Sequence, residues 1–210
     1  TIPEEKRDRT LPARLLKVDQ SFVRDMLDDP EDLAILEGVV GLAQAFRRQV
    51  IAEGVETLAH GELLLQMGCE YGQGYAIARP MPAHDIASWL ARWHPSPAWG
   101  RSQRARSEDM PLLFAMVEHR AWLSGLRESL HDKTPLWLTD FSSCRLTQWL
   151  GEQRVTDLHD PLDITCLRAT HEHFHHLLSA FPSENNADVP RYLSELEAAH
   201  KDLLLLLQKL

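Results

Sequence analysis

Residues 49–57 read QVIAEGVET, and this stretch decides the fold of the N-terminal half of the chain. Its β-branched residues within Gln49–Val55 predict a buried strand that ends in a polar loop. Strand-like runs and helical patterns alternate around it: LLKVD at 15–19, EYGQGYAIA at 70–78, and helices at 32–48, 58–67 and 83–93. This alternation predicts an α/β fold with a parallel sheet.

The second half of the chain has a different pattern. The segment Trp93–Met110, WHPSPAWGRSQRARSEDM, has the Pro, Ser and Gly content of a linker. Beyond it, apolar residues recur every three or four positions and no run is typical of a strand, which predicts an all-α bundle of about four helices. We therefore predict an α/β domain over 1–95, a linker over 96–110 and a helical domain over 111–210.

Composition narrows the possible functions. The 210 residues include 31 acidic and 22 basic side chains, a formal net charge of −9, which argues against binding of a nucleic-acid polymer. No apolar run is long enough to span a membrane, and the charged start TIPEEKRDRT is not a signal peptide. Three scattered cysteines predict a reducing, cytoplasmic setting rather than a disulfide framework.

Four polar residues lie within or just after the predicted strands: Lys17, Glu53, Glu56 and Gln73. In a parallel sheet or barrel, ligands and catalytic groups gather at the carboxyl ends of the strands. Lys17 lies among apolar neighbours, so its charge requires a partner or a chemical task. The spacing leaves two possibilities open, an ion pair with a carboxylate such as Glu53 or a catalytic role.

Three motifs within residues 11–93 resemble the closing half of an EAL domain, the cyclic di-GMP phosphodiesterase family. They are KVDQSFVRDM, VIAEGVET and GCEYGQGYAIARPMP, and they occur in the family's order. The resemblance implies a partial (β/α)8 barrel made of the last three strand–helix units of that domain. It also implies cyclic di-GMP as a ligand of the intact parent protein, with Mg²⁺ or Mn²⁺ only in an intact EAL domain.

The resemblance assigns roles to the four polar residues. Lys17 would orient the attacking water, Glu53 would complete the shell around the metal ions, Glu56 would order its loop, and Gln73 would form a hydrogen bond nearby. The family's Glu-Ala-Leu, its metal-binding Asn and its Asp-Asp-Phe-Gly loop precede that lysine, whereas only sixteen residues precede Lys17. We therefore expect this chain by itself to be inactive, and whether it belongs to an enzyme stays open.

The C-terminal half contains a histidine-rich stretch, THEHFHH, at 170–176. On a helix, His171 and His175 share one face and can chelate a single metal ion. The same letters satisfy the His-Glu-x-x-His motif of zinc metalloproteases, with Glu172 as the base. That alternative also requires a third ligand downstream and a substrate cleft.

A wider set of ligands favours a closed zinc site. His119, Cys144, His171 and His175 provide the four donors that tetrahedral Zn²⁺ requires, at separations of 25, 27 and 4 residues. This order resembles the CZB domain, the chemoreceptor zinc-binding module, over residues 112–210. The resemblance implies a four-helix bundle, bound Zn²⁺ and a homodimer. One departure is Thr147, where the family usually has glycine.

Two functional hypotheses follow for a bacterial, cytoplasmic protein. In the first, the chain is the C-terminal part of a cyclic di-GMP phosphodiesterase that zinc regulates through a CZB domain. In the second, it is a zinc sensor and dimerisation module whose EAL segment is a degenerate scaffold. The sequence upstream of Thr1 would distinguish them.

Overall fold

The computed structural model describes residues 13–132, 134, 144–152, 155, 159–181 and 188–210. The first twelve positions of the predicted α/β domain and several internal segments of the predicted helical domain lie outside the described residues. The chain divides into two compact units. The first contains the described residues up to Arg24 together with Ala34–Arg104, and the second contains Asp25–Leu33 and Ala105–Leu210.

A three-stranded parallel sheet organises the first unit, as predicted. Its strands are β1 (Leu15–Val18), β2 (Gln49–Glu53) and β3 (Tyr71–Gln73), in that spatial order. The helices in this part of the chain are α1 (Gln20–Asp25), α2 (Pro30–Ala45), α3 (Leu58–Gln66), α4 (Ile86–Leu90) and α5 (Pro97–Arg101). A single 3-10 turn, Ala83–Asp85, precedes α4.

The register of the sheet places the polar residues on one face. Lys17 pairs with Ile51 across β1 and β2, and Glu53 pairs with Gln73 across β2 and β3. Paired residues point to the same face, and so do residues two apart along a strand. Lys17, Glu53 and Gln73 therefore share a face. The opposite face is apolar and buried, with Val18, Val50 and Ala52.

The third strand is shorter than the predicted run 70–78. Beyond Gln73 the chain passes so close to Val55 that a Cβ atom at Gly74 would lie 2.2 Å from the Val55 carbonyl oxygen. The Ala76 amide donates to that same carbonyl, at 3.0 Å. The amides of the next two residues turn back to the Gly74 carbonyl. A turn replaces the strand because these amides bond locally.

The helical pattern at 83–93 is also shorter in the structure, where only Ile86–Leu90 is α-helical. Within the predicted linker, Ser96 caps α5, and its side-chain oxygen accepts from the Ala98 amide at 3.3 Å. Trp99 of α5 donates through Nε1 to the Leu58 carbonyl at 2.9 Å. The residues that follow Trp93 thus include a short helix that contacts the start of α3.

The second unit is helical throughout its described residues. Its longer helices are α6 (Met110–Asp132), α8 (Pro161–Ser179) and α9 (Val189–Leu207), and a short helix α7 (Arg145–Leu150) lies between α6 and α8 in the chain. Helix α9 packs against α8 and α6, and α7 packs against α6. Their core includes these buried side chains: Phe114, Leu146, Leu167, Phe174, Leu196 and Leu203.

Helix α8, which carries the predicted histidine pair, has a well-formed start. The Asp160 carboxylate accepts from the amides of Leu162 and Asp163, at 2.8 and 3.4 Å, and Pro161 occupies the first helical position. In the described part of the chain, no helix is both long and apolar enough to cross a membrane.

Candidate functional site

The structure brings three of the four predicted strand-end residues together. Lys17 Nζ forms an ion pair with Glu53 Oε1. Gln73 Nε2 donates to the same carboxylate oxygen at 3.4 Å. The ion pair that the sequence left open as one possibility is therefore present. The Lys17 side chain is 59% exposed, so its charge is accessible to a ligand.

Glu56 does not join this cluster. Its side chain is exposed, and among the described residues no hydrogen bond or ion pair joins it to Lys17, Glu53 or Gln73. Its backbone amide instead lies 3.4 Å from Nδ1 of His60, at the start of α3. This position agrees with a role in the loop rather than in a metal site.

The loop after β2 has a specific backbone conformation that depends on Gly54 and Thr57. Gly54 adopts φ +76°, and a Cβ atom there would lie 2.6 Å from Cβ of Gln20. Only glycine fits this turn without strain. Thr57 then caps α3, and its side-chain oxygen accepts from the His60 amide at 3.1 Å. The loop conformation thus fixes where β2 ends and where Glu53 lies.

The strand-end cluster has too few ligands for a divalent metal ion on its own. Mg²⁺ prefers six oxygen ligands in octahedral geometry. The clustered side chains supply one carboxylate, from Glu53, and one amide oxygen, from Gln73. The described residues of this cluster can therefore supply only part of such a site.

Four potential ligand atoms converge in the helical unit. They belong to His119, Cys144, His171 and His175, and they all lie within 4.8 Å of one another. The Cys144 sulfur is 3.4 Å from His171 Nε2 and 4.0 Å from His119 Nε2. The Nε2 atoms of His171 and His175 are 2.8 Å apart. Ligand atoms around one tetrahedral zinc ion stand roughly 3.3–3.7 Å apart. The separations in this cluster lie on both sides of that range, between 2.8 Å and 4.8 Å, so the four atoms are close enough to share one ion.

Three helical segments position these ligands. His119 lies on α6, Cys144 immediately precedes α7, and His171 and His175 lie one turn apart on α8. The side chains of His119, Cys144 and His171 are buried, and His175 is half-buried. The three histidines therefore lie within helices, and Cys144 is buried at the N-terminal boundary of α7.

A backbone hydrogen bond orients His119. Its Nδ1 atom lies 2.6 Å from the carbonyl oxygen of Ala115, one turn earlier on α6. Because a carbonyl oxygen can only accept, Nδ1 carries the proton, and the lone pair is on Nε2. Nε2 is the atom that faces Cys144. Histidine ligands of zinc are commonly oriented in this way.

Burial keeps the three histidines in the form that binds metal. It lowers the pKa of His119 and of His171 to about 3, and that of His175 to about 4. Mutual repulsion between the imidazolium forms adds to this for the first two. Burial also raises the pKa of the Cys144 thiol. The pocket therefore disfavours protonated imidazoles, while a cation would favour the thiolate.

Aromatic side chains surround the ligands. Trp122 lies 4.7 Å from the His119 ring and 5.5 Å from the His175 ring, measured between centroids. The Phe174 ring is 5.3 Å from His119 and 5.7 Å from His175. This packing restricts the imidazole rings to their converged positions. The donor set, its burial and its neutral imidazoles all fit Zn²⁺.

Glu172, the base of the alternative protease motif, lies apart from this cluster. Its side chain is exposed on α8, and it is not among the grouped ligands. The fourth donor is Cys144 instead, which comes before the histidine pair in the chain. The geometry therefore favours a site closed by protein ligands over one with a free position for a catalytic water.

Two neighbouring features escaped the sequence analysis. His200 on α9 is 9% exposed, and its ring lies 5.8 Å from Phe174. Glu118 and Arg145 form an ion pair beside the ligands, with Oε1 and Nε 2.9 Å apart. Glu118 and Arg145 are next to His119 and Cys144 in the sequence, which could have drawn attention to them. Their pairing, however, depends on how α6 and α7 pack.

Comparison with known proteins identifies the first part of the chain. The family model of the EAL domain matches residues 7–80. Cyclic di-GMP phosphodiesterase PA2567 of Pseudomonas aeruginosa is 43% identical over 84 residues, which are 40% of this chain and 14% of that protein. Oxygen sensor protein DosP of Escherichia coli is 39% identical over 82 residues, 39% of this chain and 10% of that protein.

A third relative has a solved counterpart. The bifunctional diguanylate cyclase/cyclic di-GMP phosphodiesterase MucR of Pseudomonas aeruginosa is 39% identical over 83 residues, 40% of this chain and 12% of that protein. A structure of the PaMucR phosphodiesterase in a c-di-GMP complex is 41% identical, covers 36% of this chain and 31% of its own, and has a TM-score of 0.35. This chain spans between 10% and 14% of the length of the three relatives. Residues 7–80 are thus a segment of an EAL domain, homologous to part of the cyclic di-GMP phosphodiesterases.

Proposed function

We propose that the chain belongs to a cyclic di-GMP signalling protein, in which an EAL segment is followed by a zinc-sensing CZB domain. The observation that carries the zinc assignment is the convergence of His119, Cys144, His171 and His175 within 4.8 Å. The homology of residues 7–80 supports the signalling assignment. When bound, zinc would supply a tetrahedral centre that joins the segments bearing these four ligands.

A sensory or structural role fits the helical unit better than hydrolysis. A zinc site with four protein ligands has no open position for a catalytic water. The exposure of Glu172 also argues against the metalloprotease alternative. In the proposed site, His119 and Cys144 tie α6 to α7, and His171 and His175 tie both to α8, so occupancy would control how these helices are held.

The experiment that tests this proposal is metal analysis of the protein purified without added zinc. We expect about one zinc per chain, because the four donors form one closed site. The combined substitutions Cys144→Ala and His175→Ala should abolish it. The matched control is Cys166→Ala with His176→Ala, since both residues are exposed on α8. Zinc retained by the first double variant would contradict the proposal.

We further propose that this 210-residue chain has no phosphodiesterase activity of its own. An intact EAL domain would supply the remaining metal ligands, and only there would four residues of this chain contribute to catalysis: Lys17, Glu53, Gln73 and the loop residue Glu56. The small number of oxygen ligands in the strand-end cluster supports this. The second hypothesis is that the EAL segment is a degenerate scaffold in a zinc-sensing dimerisation module. The geometry of the two clusters is compatible with either hypothesis. An in-frame Asp-Asp-Phe-Gly-like loop upstream would favour the enzyme, and a start codon near Thr1 would favour the scaffold.

A homodimer through the helical unit is part of the same proposal. Leu205 of α9 and Leu162 of α8 are large apolar side chains that remain 55% and 71% exposed, which supports an intermolecular contact there. Light scattering at micromolar concentration should give the mass of two chains. A monomer at these concentrations would contradict it.

A further inference from the structure

The ion pair between Glu118 and Arg145 lies beside the metal-ligand cluster. Glu118 Oε1 and Arg145 Nε are 2.9 Å apart. The Glu118 side chain is only 13% exposed, and its other oxygen, Oε2, is buried with no hydrogen-bond partner among the described residues. The Arg145 guanidinium also lies over the Phe114 ring, 4.0 Å from its centroid. Phe114 and Glu118 are one turn apart on α6, so Arg145 covers both.

The two residues of this ion pair are direct sequence neighbours of two metal ligands. On α6, Glu118 immediately precedes His119, and on the facing segment Arg145 immediately follows Cys144. The two segments are therefore joined at adjacent positions, once by 118–145 and once by 119–144. The first of these contacts consists of protein atoms alone, so it can form whether or not a metal ion is present.

We infer that Glu118 and Arg145 are positioning residues, which hold Cys144 against His119 and thereby set how long the site retains zinc. This inference rests on the proposed zinc site. Cys144 is buried and immediately precedes α7, so the contacts that hold α7 in place also position its sulfur. A partly buried ion pair that also covers an aromatic ring restrains that helix more than an exposed pair would.

A purely electrostatic effect predicts a different outcome. If charge alone mattered, removal of the Glu118 carboxylate would weaken binding of a dication, whereas removal of the Arg145 guanidinium would strengthen it. If the pair acts by position, loss of either partner frees α7 and weakens binding in both cases. Substitutions on the two sides of the pair therefore separate the two explanations.

The test measures how fast zinc leaves the full-length chain when a chromogenic chelator is in excess. Glu118→Gln and Arg145→Met keep the approximate size of each side chain but break the ion pair. We expect zinc release to accelerate about tenfold or more in both variants, the range typical of residues that support a metal ligand. Arg145→Lys keeps the charge but not the guanidinium geometry, so its rate of zinc release should lie between the rates of these two variants and that of the unsubstituted chain.

The matched control is Arg127→Met, which breaks an ion pair of similar length on the same helix. Arg127 Nη2 lies 2.6 Å from Glu197 Oε1, on α9, and the acidic partner is 40% exposed, compared with 13% for Glu118. This variant should release zinc at the unsubstituted rate. Metal-free samples are compared by hydrogen exchange over 145–150, where the two test variants should lose protection and the control should not.

Each outcome decides the inference. Faster release in both test variants supports it, whereas opposite changes, or rates equal to the control, overturn it. If both test variants fail to fold, the pair has a global structural role and the specific inference is overturned as well. If the unsubstituted chain holds no zinc, it is the proposed function that fails, and this is seen before any variant is made.

Discussion

The Nδ1 atom of His119 lies 2.6 Å from the carbonyl oxygen of Ala115, within the same helix. This hydrogen bond selects the tautomer whose Nε2 lone pair faces Cys144, and it requires no metal ion. Burial of the ring lowers its pKa to about 3, so the ligand form persists well below neutral pH. One partner in the proposed zinc site is thus oriented before zinc binds.

The metal-free protein should lose stability as the pH falls from 7 to 5. The folded-state pKa is about 3 for His119 and His171 and about 4 for His175 and His200, whereas an unfolded histidine has a pKa near 6.5. In this interval the unfolded chain binds more protons, so acid favours unfolding, by at most about 1.4 kcal/mol per pH unit for each group. Urea unfolding of metal-free protein at several pH values measures the slope. A free energy of unfolding that is flat or rises toward pH 5 would contradict this reading of the four sites.

Replacement of His200 by leucine should stabilise the metal-free protein. Nε2 of His200 is buried and has no hydrogen-bond partner among the described residues. An unsatisfied buried polar group costs about 1–3 kcal/mol, so His200→Leu should raise the free energy of unfolding by about 1 kcal/mol at neutral pH. His173→Leu, at an exposed position on α8, is the control and should change it by less than about 0.5 kcal/mol. A loss of stability in His200→Leu would mean that the imidazole makes a favourable interaction.

The 210-residue chain should not convert cyclic di-GMP to the linear dinucleotide in the presence of Mg²⁺ or Mn²⁺. The clustered side chains of Glu53 and Gln73 supply one carboxylate and one amide oxygen, which are too few ligands to hold the metal ions. Product formation is followed by chromatography. Because the Lys17 side chain of the Lys17–Glu53 ion pair is 59% exposed, Lys17→Ala should lower the free energy of unfolding by less than about 1 kcal/mol. Conversion that Lys17→Ala abolishes would show that the chain forms an active site.

Zinc removal should alter protection outside the ligand cluster. Trp149 of α7 donates through Nε1 to the Glu108 carbonyl at 2.8 Å, and His159 Nε2 lies 2.9 Å from an Asp109 carboxylate oxygen. The first contact connects α7, and the second connects the residue just before the start of α8, to the residues just before α6. Hydrogen exchange with and without a strong chelator should therefore change over 105–109 as well as around the ligands. Changes confined to the segments around the ligands would mean that zinc only stabilises the helical unit locally.

The sequence predicts features that depend on local pattern, and it misses those that depend on packing. The parallel sheet is confirmed, because β-branched runs such as 49–53 alternate with helical patterns. The end of the third strand at Gln73 could not be predicted, since it depends on the close approach of Gly74 to Val55. The one-turn spacing of His171 and His175 predicts a shared helix face, and the structure places them together.

The remaining ligands required more than spacing. Residues 25 positions apart, such as His119 and Cys144, carry no geometric relation in the sequence, and they were grouped by their donor chemistry and by the family resemblance. The ion pair between Glu118 and Arg145 could not be predicted either, because it depends on the packing of α6 against α7.

Cobalt absorption spectroscopy tests the central claim most directly. A thiolate bound to Co²⁺ gives an intense near-ultraviolet charge-transfer band, and tetrahedral coordination gives strong visible bands. We expect the metal-free chain to show both on addition of one equivalent of Co²⁺. Cys144→Ser should remove the charge-transfer band, and Cys166→Ser should leave it intact. An unsubstituted chain without the band, or a band that survives Cys144→Ser, would contradict a zinc site formed by His119, Cys144, His171 and His175.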